Sequence, residues 1–237
     1  MALLGSAAIA MWWDIAPAWR SEFEDWHSHE HFPERMGVPG FRRGSRWVSA
    51  HGGEGFFVMY ELDGYDTLSS PAYLGRLNQP TPWSTKLMPQ HRNMIRSQCR
   101  VLESVGGGLA RYALTLRLSP RAGAQDALRA YVKAHAAACC VRPGISGAHL
   151  LMTQTPAIAQ TTEQAIRGAR DGVADWIYIV NGYDINAVTA CEGEVLNAEE
   201  LARHADPAAA WSDIYCLSHT LEAVGTGLSG QGATPNA

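Results

Sequence analysis

The sequence predicts an α+β fold built from two tandem βαββαβ units, because three local patterns occur twice in the same order. His31 and His135 each lie nine residues before the glycine of a Pro-Gly pair. A Gly-Tyr-Asp triplet follows an apolar run in each half, at 64–66 and at 182–184. A proline closes an apolar segment upstream of each histidine. Repeated order of this kind indicates a duplicated structural unit.

Each element of the first half follows from a local pattern. Trp19, Phe23 and Trp26 recur at helical spacing, whereas short apolar runs separated by the glycine-rich segment 51–55 predict a hairpin of two strands. Asp66 is the expected N-cap of the next helix. The predicted elements are strand 8–15, helix 18–31, strand 40–50, strand 56–62, helix 66–77, a helical piece after Pro82, and strand 99–105.

The second half repeats this order after a glycine link at 106–108. Its predicted elements are strand 111–118, helix 122–139, strands 145–153 and 176–180, helix 185–191 with 198–204, and strand 211–221. Its hairpin carries a long insertion, 154–175, with a short helix at 163–170. The expected units are therefore 1–105 and 109–224, and the Gly-, Ser- and Pro-containing tail 225–237 is expected to be disordered.

Strands and helices in the order βαββαβ are typical of the ferredoxin-like unit, whose helices cover only one face of its sheet. The other face must also be covered. Two such units can pack their bare faces against each other and close into a pseudo-dimeric α/β barrel. The sequence therefore predicts a barrel whose interior holds a small-molecule site.

Composition excludes several classes of partner. Hydrophobic residues make up 46% of the chain, which argues against disorder, and the formal net charge of −4 without a basic run argues against nucleic acid. The apolar stretch 7–13 is too short to span a bilayer, and it is interpreted as a strand rather than a signal peptide. Five cysteines without a CxxC pair predict reduced thiols in a cytoplasmic protein.

Residues 26–33 read Trp-His-Ser-His-Glu-His-Phe-Pro, and residues 38–41 read Val-Pro-Gly-Phe. With these motifs the chain resembles the dimeric α/β-barrel superfamily, and within it the EthD-like branch. The match covers most of the first half, whereas His135 in the second half is not followed by x-Pro. The superfamily includes cofactor-independent isomerases, cyclases, lyases and oxygenases as well as haem enzymes. The resemblance thus implies a fold and a pocket more firmly than a reaction.

The segment 26–35 carries the densest chemical signal. His31 is the candidate acid or base, with Glu30 orienting it and His27 assisting, because an imidazole beside a partly buried carboxylate suits proton transfer. The alternative is a satisfied polar cluster at the end of a helix. His27, Glu30 and His31 also match the inverted zinc-protease motif. Pro33, expected to end the helix at once, argues against that motif, so no metal ligands are assigned, although a simple metal site stays open.

Seven further side chains are candidates for substrate binding. An arginine could neutralise a carboxylate or enolate of the substrate, and aromatic residues could stack on a flat ligand. For each of them the alternative is ordinary packing or a solvated charge, and Trp12 and Trp13 must point to opposite faces of their strand. The candidates are Trp26, Arg35, Arg46, Trp47, Tyr60, His91 and His149.

These observations predict a cofactor-independent enzyme of catabolism or secondary metabolism that uses His/Glu acid-base chemistry on a small cyclic or aromatic carbonyl compound. Isomerase, cyclase and lyase outcomes all fit proton abstraction next to a carbonyl. Two alternatives stay open: a haem- or metal-dependent oxygenase on the same fold, and a non-catalytic protein that binds a small hydrophobic ligand. The expected partner is a small molecule, and association of two chains as a homodimer stays open.

Overall fold

Eight strands form one closed antiparallel barrel in the computed structural model, which describes residues 3–168, 171–195 and 198–223. The predicted disordered tail lies outside these residues. Around the barrel the strands follow the order β1-β3-β2-β8-β5-β7-β6-β4, and β4 pairs with β1 to close it. The strands are β1 (Ala7–Asp14), β2 (Phe41–Ser49), β3 (Gly55–Leu62), β4 (Arg92–Gly106), β5 (Tyr112–Leu118), β6 (Ile145–Thr153), β7 (Trp176–Gly182) and β8 (Trp211–Glu222).

Each half of the chain contributes four neighbouring strands, β4-β1-β3-β2 and β8-β5-β7-β6. The halves join through hydrogen-bonded edges, where β2 pairs with β8 and β4 pairs with β6. This arrangement confirms a mixed α/β fold with a barrel of eight antiparallel strands. The origin of the two halves by duplication stays a prediction.

The helices cover the outer surface of the barrel. Two outer apolar clusters hold the helices of the two halves against their strands. The helices are α1 (Pro17–Trp26), α2 (Phe32–Met36), α3 (Pro71–Asn78), α4 (Pro82–Leu87), α5 (Gln125–Cys139), α6 (Thr162–Arg167), α7 (Ile185–Val195) and α8 (Ala198–His204).

The barrel interior is a packed core, which corrects the prediction that it holds the small-molecule site. Residues of β1 alternate, so that Trp12 points inward while Trp13 points to the helices, as expected from the strand geometry. Inside, Phe57 stacks between Trp12 and Trp47 with ring centroids 5.1 Å away on each side. Large aromatic side chains fill a small barrel of this kind and leave its interior to packing.

Pro33 does not end the first helix, contrary to expectation. A π-helical turn, His27–His31, connects α1 to α2, and the backbone N–H of Phe32 donates to the carbonyl of His27. Proline has no N–H to donate and clashes with the preceding turn of an α-helix. The widened turn removes that conflict, so the helix continues to Met36.

Three further expectations are corrected. Ser70, not Asp66, caps α3, because its hydroxyl accepts from the backbone N–H of Tyr73. Strand β4 begins at Arg92 rather than at residue 99, since it pairs with β1 over a polar segment that lacks an apolar run. Cys139 and Cys191 form a disulfide between α5 and α7, whereas all five cysteines were expected to be reduced.

No helix of the described residues is both long enough and apolar enough to cross a membrane.

Candidate functional site

A pocket lies outside the barrel, between the outer face of the first-half sheet and the helices that cover it. Outward side chains of β1, among them Trp13, form its floor, and the π-helical turn forms one wall. The insertion of the second half contributes Ile158, Thr161, Glu163, Gln164 and Arg167 to its lining. The predicted site residues that line this pocket are Trp26, His27, His31, Arg35, Tyr60 and His91.

His31 lies in the pocket with an unpaired ring nitrogen. Its ring packs against Trp26 and His27, with centroids 4.6 and 5.4 Å away. Nδ1 has no hydrogen-bond partner among the described residues, and the Oε2 atom of Glu34 lies 4.0 Å from it. Burial, followed by the nearby charge of Arg35, lowers the pKa of His31 well below its ordinary value. His31 is therefore neutral at pH 7 and can accept a proton.

Glu30 does not face His31, which corrects its expected role in orienting that ring. Its Oε1 atom accepts hydrogen bonds from Trp26 Nε1 at 3.1 Å, from Ser84 Oγ at 3.4 Å and from the Thr81 hydroxyl. Thr81 is also the N-cap of α4. Glu30 thus joins the first helix to α4 and fixes Trp26 as a wall of the pocket.

His27 packs behind His31 and is fully buried. Its ring lies 4.3 Å from that of Phe32 and stacks on Phe23 at 5.2 Å. Its Nδ1 atom lies 3.5 Å from Nη1 of Arg46. Burial and then the charge of Arg46 lower the pKa of His27 well below its ordinary value. A neutral His27 adds no positive charge beside His31.

Tyr60 lines the pocket and carries a second unpaired polar atom. Its hydroxyl is buried and has no hydrogen-bond partner among the described residues. Burial raises the pKa of Tyr60 far above its ordinary value, so the hydroxyl keeps its proton. A buried hydroxyl normally has a partner, and its absence is costly. A ligand oxygen in the pocket would supply that partner.

Arg35 is a buried cation held by carboxylates. It forms an ion pair with Glu163 of the insertion, and its Nη1 atom lies 3.5 Å from Oε2 of Glu34. Burial alone would lower the pKa of Arg35, but the Glu163 carboxylate raises it. Since Arg35 and Glu163 are 128 residues apart, this pair ties the insertion to the helix that carries His31.

His91 completes the imidazole cluster. Its Nδ1 atom donates to the backbone carbonyls of Met88 and Leu87, at 3.1 and 3.3 Å. Carbonyl oxygens only accept, so Nδ1 carries the proton of the neutral ring and Nε2 is left as an acceptor. Burial lowers the pKa of His91 to about 4.

Three predicted binding residues lie away from the pocket, which corrects their assignment. Arg46 lies behind His27 and donates to the carbonyl of Glu24 at 3.2 Å. Trp47 belongs to the barrel interior. His149 is buried, and its Nδ1 atom lies 3.0 Å from Oγ of Ser104. Their positions on predicted strands did not decide whether these side chains point into the barrel or towards the helices.

No local pattern marks most of the other charged residues in and beside the pocket. Glu163 and Arg167 stand far from the first-half motif along the chain, so no spacing pattern connects them with it. Glu34 lies within the segment 26–35 but is not among the predicted site residues. Arg96 lies five residues after the predicted His91, and this proximity along the chain is the signal that points to it.

The corresponding position of the second half holds a hydrogen-bonded pair. Tyr178 stands four residues before Gly182, as Tyr60 stands four residues before Gly64. There, the Tyr178 hydroxyl and Nδ1 of His135 lie 2.8 Å apart and form a hydrogen bond. In the first half the matching two atoms, those of Tyr60 and His31, both lack a partner.

Comparison with known proteins gives the fold. No protein-family profile and no curated protein sequence matches the chain. A solved structure described as an anthrone oxidase-like protein is 11% identical, with a TM-score of 0.63 over 92% of this chain and 93% of that one. A proposed monooxygenase from Fusobacterium nucleatum is 7% identical, with a TM-score of 0.60 over 93% and 96% of the two chains.

A proposed monooxygenase from Lactobacillus acidophilus is 10% identical, with a TM-score of 0.56 over 92% of this chain and 97% of that one. These matches assign the chain to the ferredoxin-like α/β-barrel fold, as the resemblance implied. Identities of this size carry the fold alone, because one fold supports many activities. Placement in the EthD-like branch stays a prediction.

Proposed function

We propose that this protein is a cofactor-independent enzyme that removes a proton next to the carbonyl of a small cyclic or aromatic compound. Isomerisation, cyclisation or elimination would follow from the resulting enolate. One observation carries the proposal: His31 and Tyr60 both line the pocket, and the buried Nδ1 atom of His31 and the buried hydroxyl of Tyr60 both lack a partner among the described residues. A neutral acceptor beside a protonated donor suits enolate formation.

The roles follow from the protonation states. His31 accepts the proton from carbon, since its lowered pKa keeps the ring neutral. The Tyr60 hydroxyl donates a hydrogen bond to the carbonyl oxygen, which gains negative charge in the transition state. Trp13 and Trp26 stack on the flat ring of the substrate. His27 holds the His31 ring, and Glu30 acts as a positioning residue through Trp26.

Proton abstraction can be tested without the natural substrate. The probe is 2-tetralone, an aromatic ketone with acidic C–H bonds beside its carbonyl, dissolved in D2O with the protein. We expect the NMR signal of those protons to disappear faster than without protein. His31→Gln should lower the rate enhancement by about 100-fold or more, because general-base catalysis contributes factors of that order.

The matched control is His135→Gln in the second half, which removes an imidazole that bonds to Tyr178 outside the pocket. This variant should retain the exchange rate of the unaltered protein. An unchanged rate in His31→Gln, with the thermal unfolding curve also unchanged, would remove His31 from the mechanism.

An oxygenase is the second candidate, favoured by structural neighbours described as an anthrone oxidase-like protein and as proposed monooxygenases. In the described parts of the chain, no three His, Cys, Asp or Glu side chains group in a way that could hold a metal ion. Oxygen uptake with 2-tetralone, a Soret band, or stoichiometric metal in the purified protein would favour this candidate over proton transfer alone.

We also propose that the chain is a tandem repeat related to the EthD-like branch, with units 1–105 and 109–224. The order of elements is the same in the two halves, which supports the proposal. Both Pro-Gly glycines, Gly40 and Gly144, adopt a positive φ, of 93° and 91°. That backbone conformation favours glycine, so the repeated motif has the same structural cause in each half.

A further inference from the structure

Arg96 differs from the other arginines of the pocket because it has no carboxylate partner. Arg35 is paired with Glu163, and Arg167 lies 2.8 Å from Oδ2 of Asp171. Among the described residues, no Asp or Glu oxygen lies within 4.0 Å of the Arg96 guanidinium. These ion pairs leave Arg96 as the pocket arginine without a carboxylate in contact among the described residues.

The side chain of Arg96 is nevertheless held in place. Its Nη2 atom donates to the hydroxyl of Tyr73 at 3.0 Å, and Tyr73 is itself buried. The backbone N–H of Arg96 donates to the carbonyl of Gly172 at 2.9 Å, which anchors the strand to the insertion. A guanidinium has five N–H donors, so most of them stay available for a ligand.

Arg96 also stands where two cavities meet. Together with Ile158 and Gln164, it lines both the inner pocket that contains His31 and a shallower outer cleft. A charged ligand group at this junction would keep part of its hydration, because Arg96 is half-buried. The rest of the ligand would enter the inner pocket, whose volume of about 50 Å³ must widen to hold a ring.

The histidines of the pocket add no positive charge that would need another anion. His27, His31 and His91 are neutral at pH 7, for the reasons of burial and neighbouring charge given above. The pocket lining holds three arginines and one acid, Glu163, while Asp171 and Glu34 lie beside Arg167 and Arg35. Complementarity of charge then favours a negatively charged ligand group at Arg96, the arginine without a carboxylate in contact.

We infer that the substrate is a cyclic or aromatic carbonyl compound that also carries one carboxylate, and that Arg96 binds this carboxylate. The carbonyl of the substrate rests on the proposed function. The carboxylate rests on Arg96, which stands at the junction of the two cavities without a carboxylate in contact. A carboxylate accepts two parallel hydrogen bonds from a guanidinium, which fixes the orientation of the ligand.

Binding of a matched pair of probes tests the acid without any turnover. The probes are 2-naphthoate and 2-naphthamide, which share the ring but differ in charge, and their Kd values at pH 7.5 can be measured by calorimetry. We expect the unaltered protein to bind 2-naphthoate about tenfold more tightly, as a charge-assisted hydrogen bond warrants. Arg96→Gln should abolish this preference, whereas Arg96→Lys should retain part of it.

The control is Arg92→Gln, on the same strand as Arg96. Arg92 is exposed and pairs with Glu54, and it does not line the pocket. This variant should keep the preference for 2-naphthoate. Equal affinities in the unaltered protein, or a preference that survives in Arg96→Gln, would overturn the inference.

Failure of this inference is distinguishable from failure of the proposed function. Exchange of 2-tetralone protons without any preference for 2-naphthoate would leave the proposed enzyme activity intact. It would overturn the inference that the substrate carries a carboxylate. A preference that depends on Arg96, without exchange of 2-tetralone protons, would support the anion site and contradict proton abstraction.

Discussion

Three neutral imidazoles share one pocket, and burial explains how they do so. His27 and His31 lie with nearly parallel rings, 5.4 Å between centroids, and His91 lies nearby against Trp13 at 4.9 Å. Protonation of any one would place a cation beside arginines in a site of low dielectric constant. The lowered pKa makes each imidazole a weaker base. It also keeps each imidazole fully in the neutral form that can accept a proton.

Removal of the Tyr60 hydroxyl should separate a ligand role from a structural one. The hydroxyl has no partner among the described residues, so Tyr60→Phe should leave the Tm unchanged or raise it slightly. The exchange rate of 2-tetralone should fall by about 100-fold, the usual effect of losing an oxyanion donor. Both are measurable on the same preparation.

Tyr178→Phe is the matched control for that experiment. The Tyr178 hydroxyl bonds to His135, so its loss should cost about 1 kcal/mol of unfolding free energy and leave the exchange rate unchanged. If Tyr60→Phe were destabilised as much as Tyr178→Phe and kept its rate, Tyr60 would be structural.

The buried His149 predicts how stability depends on pH. Burial, followed by the charge of Arg43, lowers the pKa of His149 to about 4, whereas an unfolded histidine titrates near its ordinary value of about 6.5. Between these values the unfolded chain binds more protons, so the unfolding free energy falls as the pH falls from about 6.5 to about 4. Above pH 7 this contribution is fully present.

Urea unfolding at pH 7.5 and at pH 5.0 measures that loss. His149→Gln removes the titrating group and keeps a polar side chain beside Ser104, so its unfolding free energy should decrease less between the two pH values. His51→Gln is the control, because His51 is exposed. An equal pH dependence in all three proteins would contradict the assignment.

At the scale of elements, the π-helical turn explains why the site was predicted only in part. The sequence placed Glu30 beside His31 on an ideal α-helix, and it placed the helix end at Pro33. In the π-helical turn each residue advances less around the helix axis. Glu30 consequently faces α4 while His31 faces the pocket, and no local pattern marks such a turn.

The insertion of the second half is the other element that local patterns could not place. Its length and its short helix were predicted from composition, and α6 (Thr162–Arg167) confirms a helix there. Its position over a first-half pocket depends on long-range contacts, such as Thr162 N to Asn78 Oδ1 at 3.0 Å. Sequence spacing contains no information about contacts between the halves.

The ion pair between Arg35 and Glu163 should make the insertion a stabilising element. Glu163→Gln removes the main partner of a buried cation, and such a loss costs about 3 kcal/mol of unfolding free energy. Glu34, 3.5 Å from Arg35, limits the cost. Urea unfolding at pH 7.5 gives the difference from the unaltered protein.

Glu54→Gln is the matched control, since it removes the partner of Arg92 in an exposed pair. Exposed pairs contribute about 0–1 kcal/mol, so this variant should be nearly as stable as the unaltered protein. Equal losses for the two variants would mean that the buried pair does not hold the insertion.

At the scale of the whole molecule, barrel closure depends on contacts between the two halves. Repeats in the sequence predicted the order of the elements and the division of the chain into two halves. Alternation along β1 predicted that Trp12 and Trp13 point to opposite faces. The disulfide between Cys139 and Cys191 was not, because cysteines 52 residues apart pair only once α5 and α7 are adjacent. The packed interior was also not predicted, because the space left inside the barrel depends on how the aromatic side chains of the two halves pack together.

Closure through strand edges predicts the behaviour of separated halves. A first half alone, residues 1–108, would expose the edges of β2 and β4 together with the apolar inner face that β5 to β8 cover in the full chain. Unpaired edges recruit other strands. We therefore expect this fragment to self-associate, and an equimolar mixture with residues 109–237 to form a 1:1 complex.

Light scattering after size-exclusion chromatography measures both outcomes, with the full chain of 25.7 kDa as the reference mass for the 1:1 complex. Gly44→Lys supplies a further check, because a side chain at Gly44 would collide with the ring of Tyr60, so the variant disturbs β2 where it pairs with β8. A first-half fragment that carries Gly44→Lys should bind residues 109–237 more weakly, since edge pairing requires an undistorted strand. A first half that stays monomeric and folded would show that each unit is complete without the other, contrary to a barrel closed by shared edges.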